Sequence, residues 1–188
     1  MKNMEKRPKN RDKEDQERML RLKKGDRNAL SELILGHQKS LSNFFMKLGG
    51  VNREDAEDLI QDTFVRLYKA SSNYEVKAKF TTFLYMLARH TWIDSIRFKN
   101  RRISTTSDLP MELMRDEKNS ISQVEISQDM QVYLNKLTEK YREVVVLNFY
   151  MKFKYAEIAE LLGIPIGTVR SRLHEAMKRL REIVPNED

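Results

Sequence analysis

The chain of 188 residues contains no cysteine. This excludes a disulfide scaffold, a catalytic thiol and a zinc site with thiolate ligands. The three histidines, His37, His90 and His174, lie far apart in the sequence and form no pair at metal-binding spacing. The six glycines are spread along the chain, and none belongs to a glycine-rich loop of the kind that binds phosphate groups. The sequence therefore predicts that the protein uses no metal and no cofactor.

Long apolar segments are also missing from the sequence. The longest unbroken apolar run covers the six residues from Phe83 to Ala88, whereas a membrane-spanning helix needs about 20. The first residues have no apolar core of the sort found in secretory signals. We therefore expect a cytoplasmic protein that does not insert into a membrane.

Positive charge is in excess, with 35 Lys and Arg against 28 Asp and Glu, a formal net charge of +7 and a pI of about 9.5. Most of the excess lies in residues 1–102, which carry 23 basic and 14 acidic side chains. A basic balance of this size favours a polyanionic partner, either a nucleic acid or an acidic membrane surface.

One segment differs in composition from the rest of the chain. Residues 103–126 are rich in Ser and Thr, contain Pro110 and carry more acidic than basic side chains, which is typical of a linker. The sequence therefore predicts four parts, namely a disordered tail (1–12), a first helical domain (13–102), a flexible linker (103–126) and a second helical domain (127–188).

Helical periodicity dominates both predicted domains. Apolar residues such as Leu33 recur at helical spacing, and His37 falls on this stripe, where we expect it to be packed rather than functional. Asp26 and Asn52 are suitable N-cap residues, and Gly49 is expected to end the helix before it. Because no stretch shows a convincing strand pattern, the predicted fold class is all-α.

Residues 155–173 have the pattern of a helix, a tight turn and a second helix. Gly163 falls where the turn requires a positive φ, and Pro165 falls outside the hydrogen-bonded interior of either helix. Val169 and Leu173 lie on the predicted buried face of the second helix. This is the pattern of a helix-turn-helix, whose second helix enters the DNA major groove. An ordinary helical hairpin with a solvated charged face is the less favoured alternative, because the turn and the packing pattern agree.

Three segments resemble bacterial sigma-70-family factors. Leu137-Thr-Glu-Lys-Tyr-Arg-Glu-Val-Val-Val-Leu, followed by the helix-turn-helix, is similar to region four of the family. Asp55-Ala-Glu-Asp-Leu-Ile-Gln-Asp-Thr-Phe-Val-Arg-Leu-Tyr and Phe80-Thr-Thr-Phe-Leu-Tyr-Met-Leu-Ala-Arg are similar to region two. The chain length and the pair of domains with a short linker resemble the extracytoplasmic function group.

The resemblance implies two contacts with core RNA polymerase. The second domain is expected to meet the flap of the second largest subunit. One face of the third predicted helix is expected to bind the clamp helices of the largest subunit, with carboxylates paired to basic residues there. The residues of that face are Asp58, Gln61, Asp62 and Val65.

The resemblance also implies two contacts with promoter DNA. The loop after the third helix and the cations of the fourth helix are expected to bind the −10 element, including a base flipped from the non-template strand. These residues are Ser72, Asn73, Tyr74, Lys77, Lys79, Arg89, His90, Arg97, Lys99, Arg101 and Arg102. The second helix of the helix-turn-helix is expected to bind the −35 element through Thr168, Arg170, Ser171, Arg172, His174, Glu175, Lys178 and Arg179.

The function implied is that of an alternative sigma factor, which binds core RNA polymerase and directs promoter recognition, melting and transcription initiation. Such a factor performs no chemistry, lies on the nucleoid when bound to polymerase, and is expected to have an anti-sigma factor as a second partner. One alternative is a helix-turn-helix repressor or activator that binds a palindromic operator as a dimer. Another is a metal-dependent nuclease using the acidic cluster Glu54, Asp55, Glu57 and Asp58, although its spacing matches no familiar metal site.

Overall fold

The computed structural model describes residues 11–105 and 125–184, and this part of the chain is helical throughout apart from short connections. The prediction of an all-α fold is confirmed. A π-helical turn, Val146–Tyr150, extends one of the helices. The α-helices are α1 (Arg11–Lys23), α2 (Arg27–Leu48), α3 (Arg53–Ser71), α4 (Phe80–Thr105), α5 (Glu125–Lys136), α6 (Glu139–Val145), α7 (Tyr155–Leu162) and α8 (Ile166–Ile183).

Two predicted boundaries need correction. Helix α1 begins at Arg11, so the last two residues of the predicted tail are helical, and Arg11 donates to the carbonyl oxygen of Gly36 in α2. The rest of that tail lies outside the described residues. Helix α4 continues to Thr105, since no proline or glycine interrupts it, and α5 begins at Glu125. Both ends of the predicted linker are therefore helical, and residues 106–124 lie outside the described part.

The predicted helix ends are present in the structure. The Asp26 side chain accepts a hydrogen bond from the backbone N of Asn28 at 3.0 Å and caps α2. Asn52 forms a capping box with Asp55 at the start of α3. Gly49 follows the last residue of α2 with φ of 79°. Side chains that accept hydrogen bonds from free backbone N–H groups stabilise the starts of helices. A glycine at positive φ is a common helix end.

The first lobe consists of α1–α4 around one apolar core. Phe44 of α2 packs edge-on against Tyr85 of α4, with ring centroids 5.0 Å apart. Phe45 and Trp92 are also buried, and each large side chain removed from water stabilises the fold by about 1.5–3 kcal/mol. Outside the core, Asp12 at the start of α1 accepts a hydrogen bond from the backbone N of residue 81 and so caps α4.

The second lobe consists of α5–α8, including the π-helical turn. Val144 of α6 and Val169, Leu173 and Ala176 of α8 are buried together in its core. Gly163 ends α7 in the left-handed conformation with φ of 64°, as the turn pattern predicts. Helices α7 and α8 therefore form the helix-turn-helix.

The two lobes are packed directly against each other. Helix α4 contacts α7, and the C-terminal end of α2 contacts α5 and the π-helical turn. Tyr85 stacks edge-on against Phe153 at 5.1 Å and donates a hydrogen bond to Sδ of Met151 at 3.3 Å. We call this contact the interlobe seam, which comprises Leu48, Lys79, Tyr85 and Arg89 of the first lobe and Arg142, Glu143, Met151, Phe153 and Glu157 of the second.

The guanidinium of Arg142 donates hydrogen bonds to backbone carbonyl groups at the ends of helices in both lobes. Within its own lobe it donates to the carbonyl oxygens of Leu134, Asn135 and Leu137, at 2.9, 3.1 and 2.8 Å. Its Nη1 reaches across the interlobe seam to the carbonyl oxygen of Leu48 at 2.6 Å. One side chain thus provides hydrogen bonds for the free carbonyl groups at the end of α5 and at the end of α2.

Candidate nucleic-acid and polymerase interfaces

The four residues predicted to bind polymerase form one exposed stripe on α3. Asp58, Gln61, Asp62 and Val65 are spaced at i, i+3, i+4 and i+7, so they share a face, and all four are exposed. Within the described residues, neither Asp58 nor Asp62 takes part in an ion pair. Their carboxylates are therefore available to basic groups of another protein.

An apolar groove between α2 and α3 borders this stripe. Leu30 and Ile34 of α2 form one wall, and Ile60 and Phe64 of α3 form the other. Tyr68, at the end of the groove, is 48% exposed. Sequence reasoning missed the α2 wall, because Leu30 and Ile34 belong to the same periodic stripe as the core residues of that helix. Exposed apolar groups beside exposed carboxylates are typical of a protein-binding surface.

The loop after α3 does not present all the side chains that the sequence singled out. Ser72, Asn73 and Lys77 are exposed. Tyr74 is only 5% exposed, and its ring packs on Phe83 at 5.3 Å. The expectation that Tyr74 contacts DNA needs correction for this reason.

The phenol of Tyr74 lies in an apolar and negatively charged setting. Burial, together with the charges of Asp12 and Asp15, raises the pKa of Tyr74 to about 12. Its hydroxyl has no hydrogen-bond partner within the described structure. Tyr74 is thus a core residue that fastens the loop to the first lobe.

The predicted basic side chains of the first lobe differ in exposure. His90, Arg97 and Arg101 are exposed along α4, and the side chain of Arg102 lies outside the described residues. Four more basic side chains form ion pairs with carboxylates of this chain. Lys77 contacts Glu75, Lys99 contacts Asp55, Lys79 contacts Glu157, and Arg89 contacts Glu143.

The predicted DNA-reading face of α8 is largely open. Arg170, Ser171, His174 and Lys178 are exposed, while Thr168, Arg172, Glu175 and Arg179 are half-buried. One shallow concave surface is bordered by Lys140 and Tyr141 of α6 and by Thr168, Arg170, Ser171, Arg172, His174 and Glu175. A second is bordered by Glu175, Lys178 and Arg179.

Arg179 is held against its own lobe. Its Nε donates to Oε1 of Glu175 at 2.8 Å, and its guanidinium lies 4.6 Å from the ring centroid of Tyr141. The hydrogen bond from Arg179 lowers the pKa of the Glu175 carboxyl. In this structure the guanidinium and the carboxylate both have partners within the lobe, whereas Arg170 and Lys178 point their charges to solvent.

Comparison with known proteins identifies the family. Residues 33–102 match the family model "Sigma-70 region 2", and residues 127–180 match "Sigma-70, region 4". The chain is 31% identical over 176 residues to the ECF RNA polymerase sigma factor SigW of Bacillus subtilis (strain 168), covering 88% of this chain and 94% of that protein. It is 31% identical over 157 residues to the ECF RNA polymerase sigma factor SigC of Mycobacterium tuberculosis, covering 84% of each.

Two solved structures share the fold. The sigma factor RpoE of Bartonella quintana, crystallised with the anti-sigma factor NepR, superposes with a TM-score of 0.69 at 24% identity, covering 84% of this chain and 98% of that one. CnrH, in complex with the cytosolic domain of CnrY, superposes with a TM-score of 0.67 at 20% identity, covering 93% and 99%. The chain therefore belongs to the extracytoplasmic function group of the sigma-70 family and is an alternative sigma factor that directs transcription initiation.

Proposed function

We propose that this sigma factor divides its work between the two lobes. The first lobe binds core RNA polymerase and the −10 element, and the second lobe binds the −35 element through α8. The division into domains follows the same lines, with α1–α4 (11–105) in the first domain and α5–α8 (125–183) in the second. It is supported by the packing of α1–α4 mainly on one another and of α6, α7 and α8 on one another, and by the two separate family matches.

The observation that carries the polymerase contact is the exposed stripe of Asp58, Gln61, Asp62 and Val65 beside the α2–α3 groove. Two exposed carboxylates give electrostatic attraction to a basic surface. The apolar groove adds contact area, and removal of this apolar surface from water on binding is favourable. Together they suit a helical, basic partner such as the clamp helices.

In the second lobe, Arg170, Ser171 and His174 project from the N-terminal half of α8, where a helix-turn-helix meets base edges. Arg170 suits guanine, and Glu175 suits the cytosine amino group once it is released from Arg179. Arg172, Lys178 and Arg179 lie to the sides and suit phosphates. Residues at these sides position the helix, and residues facing the groove give sequence preference.

The protein acts as a regulator without a reaction of its own, works in the cytoplasm with polymerase, and joins the nucleoid when polymerase is bound to DNA. Among the described helices none has the length and apolar character needed to cross a membrane. One solved structure of the same fold contains the anti-sigma factor NepR, and the other contains the cytosolic domain of CnrY. We propose that an anti-sigma factor also binds the present chain and covers its exposed α3 stripe.

Run-off transcription tests the proposal. Purified chain and core polymerase are incubated with genomic fragments, and transcripts are sequenced. We expect transcripts only when both proteins are present, starting downstream of a shared pair of sequence elements. Operator-like palindrome binding without core-dependent transcripts would favour a repressor or activator, and metal-dependent cleavage of the fragments would favour a nuclease.

A further inference from the structure

An ion pair on α8 joins a residue proposed to read bases to a residue proposed to bind phosphate. Nε of Arg179 donates a hydrogen bond to Oε1 of Glu175 at 2.8 Å, one helical turn away. The side chains of Arg179 and Glu175 are 43% and 37% exposed. Because neither charge is deeply buried, the pair is weak, and either member can exchange its partner.

Tyr141 of α6 is the second partner of Arg179. The central carbon of the guanidinium lies 4.6 Å from the centroid of the Tyr141 ring, within the range of a cation–π contact. Tyr141 is half-buried, and its ring packs against the core of the second lobe. The ring therefore gives the guanidinium of Arg179 a fixed position beside α6.

Glu175 belongs to both concave surfaces that α8 borders. It borders the first surface together with Arg170 and His174, and the second together with Lys178 and Arg179. The first surface contains residues proposed to read base edges, and the second contains two cations proposed to bind phosphates. A change of side-chain rotamer at Glu175 can therefore direct its carboxylate to either surface.

We propose that Arg179 exchanges Glu175 for a DNA phosphate at the same time as Glu175 exchanges Arg179 for a cytosine. In the free protein, Glu175 and Tyr141 hold Arg179. On a matching −35 element a backbone phosphate binds the guanidinium, and the released carboxylate accepts a hydrogen bond from the cytosine amino group. Tyr141 is then a positioning residue that competes with the phosphate for Arg179. The inference rests on the proposed function, since it requires α8 to bind the −35 element.

The base contact and the phosphate contact depend on each other. On DNA that lacks the cytosine, a Glu175 carboxylate released from Arg179 would meet no donor, and it would lie unpaired close to negatively charged phosphates. On such DNA we expect Glu175 to keep Arg179. Arg179 therefore binds a phosphate on matching DNA alone, and binding there releases about one more counterion.

The test measures the salt dependence of binding to two DNA duplexes. The matching duplex carries the −35 sequence that the full-length parent selects from a randomised library. In the mismatched duplex one cytosine is replaced by thymine, which presents an acceptor where cytosine presents its amino donor. The position chosen is the cytosine whose preference the Glu175→Gln variant loses. We expect the parent to give a steeper salt slope on the matching duplex, by about one unit.

Glu175→Gln removes the anionic partner of Arg179. Its salt slopes on the two duplexes should therefore be equal, and both should be as steep as that of the parent on the matching duplex. Glu160→Gln is the matched control, because it removes an exposed carboxylate from α7 and changes the net charge equally. This variant should keep the difference in slope that the parent shows.

A second pair of variants tests the role of Tyr141. Tyr141→Leu removes the ring that competes with the phosphate, so it should bind the matching duplex about threefold more tightly and the mismatched duplex as the parent does. Tyr141→Phe keeps the ring and should bind both duplexes as the parent does. A merely structural role of Tyr141 would instead weaken binding of the leucine variant to both duplexes. Thermal unfolding verifies that the variants are folded.

Three results would overturn the inference. They are a Glu175→Gln variant that keeps every cytosine preference of the parent, equal salt slopes of the parent on the two duplexes, and a folded Tyr141→Leu variant that binds the matching duplex no more tightly than the parent. The library distinguishes this failure from failure of the proposed function. A selected sequence with equal slopes rejects the exchange alone, whereas a library that returns no sequence preference rejects the proposed contact of α8 with the −35 element.

Discussion

Nε2 of His37 lies 2.8 Å from Oδ2 of Asp15, and both side chains are at least 96% buried. The other carboxylate oxygen of Asp15 accepts a hydrogen bond from Nη1 of Arg18 at 2.8 Å. The contact ties α1 to α2 inside the first lobe. The Asp15 carboxylate is a charged group in a buried position, and such a group is stable only while its partners remain.

This arrangement predicts acid sensitivity of the first lobe. Burial opposes ionisation of Asp15, but the hydrogen bonds and charges of His37 and Arg18 outweigh it and hold the pKa of the carboxyl below its ordinary value of 3.8. A carboxyl with a lowered pKa stabilises the fold above its unfolded pKa, and this stabilisation is lost as pH falls through the folded value. We therefore expect thermal unfolding to move to lower temperature as pH drops below 3.8.

The substitution Asp15→Asn isolates this contribution. It should lower the free energy of unfolding by about 2–3 kcal/mol at neutral pH and flatten the acid limb of the pH profile. Glu17→Gln, on the exposed side of the same helix, is the control and should change little. Identical pH profiles for the two variants would contradict the role of the Asp15 contact.

Charge reversal tests the α3 stripe. Asp58→Lys with Asp62→Lys should weaken binding to core polymerase by about tenfold or more, because two attractive contacts become repulsive. Co-purification and a binding titration measure the effect. The matched control is Glu14→Lys with Glu17→Lys on α1, where both positions are exposed. Equal affinity of a folded stripe variant and the parent would reject this surface.

Two residues of α8 should separate base reading from phosphate binding. Arg170→Ala should cost about 1–3 kcal/mol on the cognate site and relax sequence preference at one position. Lys178→Ala should weaken all sequences about equally and reduce the salt slope by roughly one unit. Selection from a randomised −35 library measures both. Unaltered sequence preference in the Arg170 variant would show that this face is only a cationic surface.

A pair of neighbouring glycines offers a test of the contact between the lobes. Gly49 has φ of 79° and ψ of 170°, a conformation essentially confined to glycine, and Gly50 has φ of 73°. Alanine is therefore strained at both positions, by about 1–3 kcal/mol. A Cβ on Gly49 would also lie 2.6 Å from Oδ1 of Asn135 and 2.7 Å from Nη1 of Arg142, whereas a Cβ on Gly50 meets nothing within 4 Å.

With one spin label on each lobe, at Lys69→Cys and Arg181→Cys, Gly49→Ala should therefore lengthen the separation of the labels. Gly50→Ala also places a side chain at positive φ but meets no neighbour, and it should leave the separation unchanged. Thermal unfolding and the label separation give the two readouts. Equal label separations in the two variants would show that the close approach at residue 49 does not position the second lobe.

The features that the sequence predicted well are those set by neighbouring residues. The caps at Asp26 and Asn52 and the turn at Gly163 depend on a few adjacent positions. Whether Arg89 faces DNA or Glu143 depends on a residue 54 positions away in another lobe, and helical periodicity contains no information on such pairing. The sequence therefore identified Arg89 as a cation on a helix but could not supply its partner.

Tyr74 shows the same limit within one lobe. An aromatic residue in a polar loop has the composition of a base-stacking site, and its burial is decided by α1. Lys23 donates to the carbonyl oxygen of Tyr74 at 2.9 Å, and Gln16 donates to that of Ala78 at 3.0 Å. His37 was placed correctly as a packed residue, whereas its charged partner could not be foreseen because Asp15 lies on a different helix.

The side chain of Arg142 divides its hydrogen bonds unequally between the two lobes. Of its four hydrogen bonds, three end in its own lobe and one ends on Leu48. Separation of the lobes removes only that one, and the carbonyl of Leu48 at the end of α2 then becomes open to water. The three bonds within the second lobe do not depend on α2, so a movement that parts the lobes leaves the connection between α5 and α6 fastened.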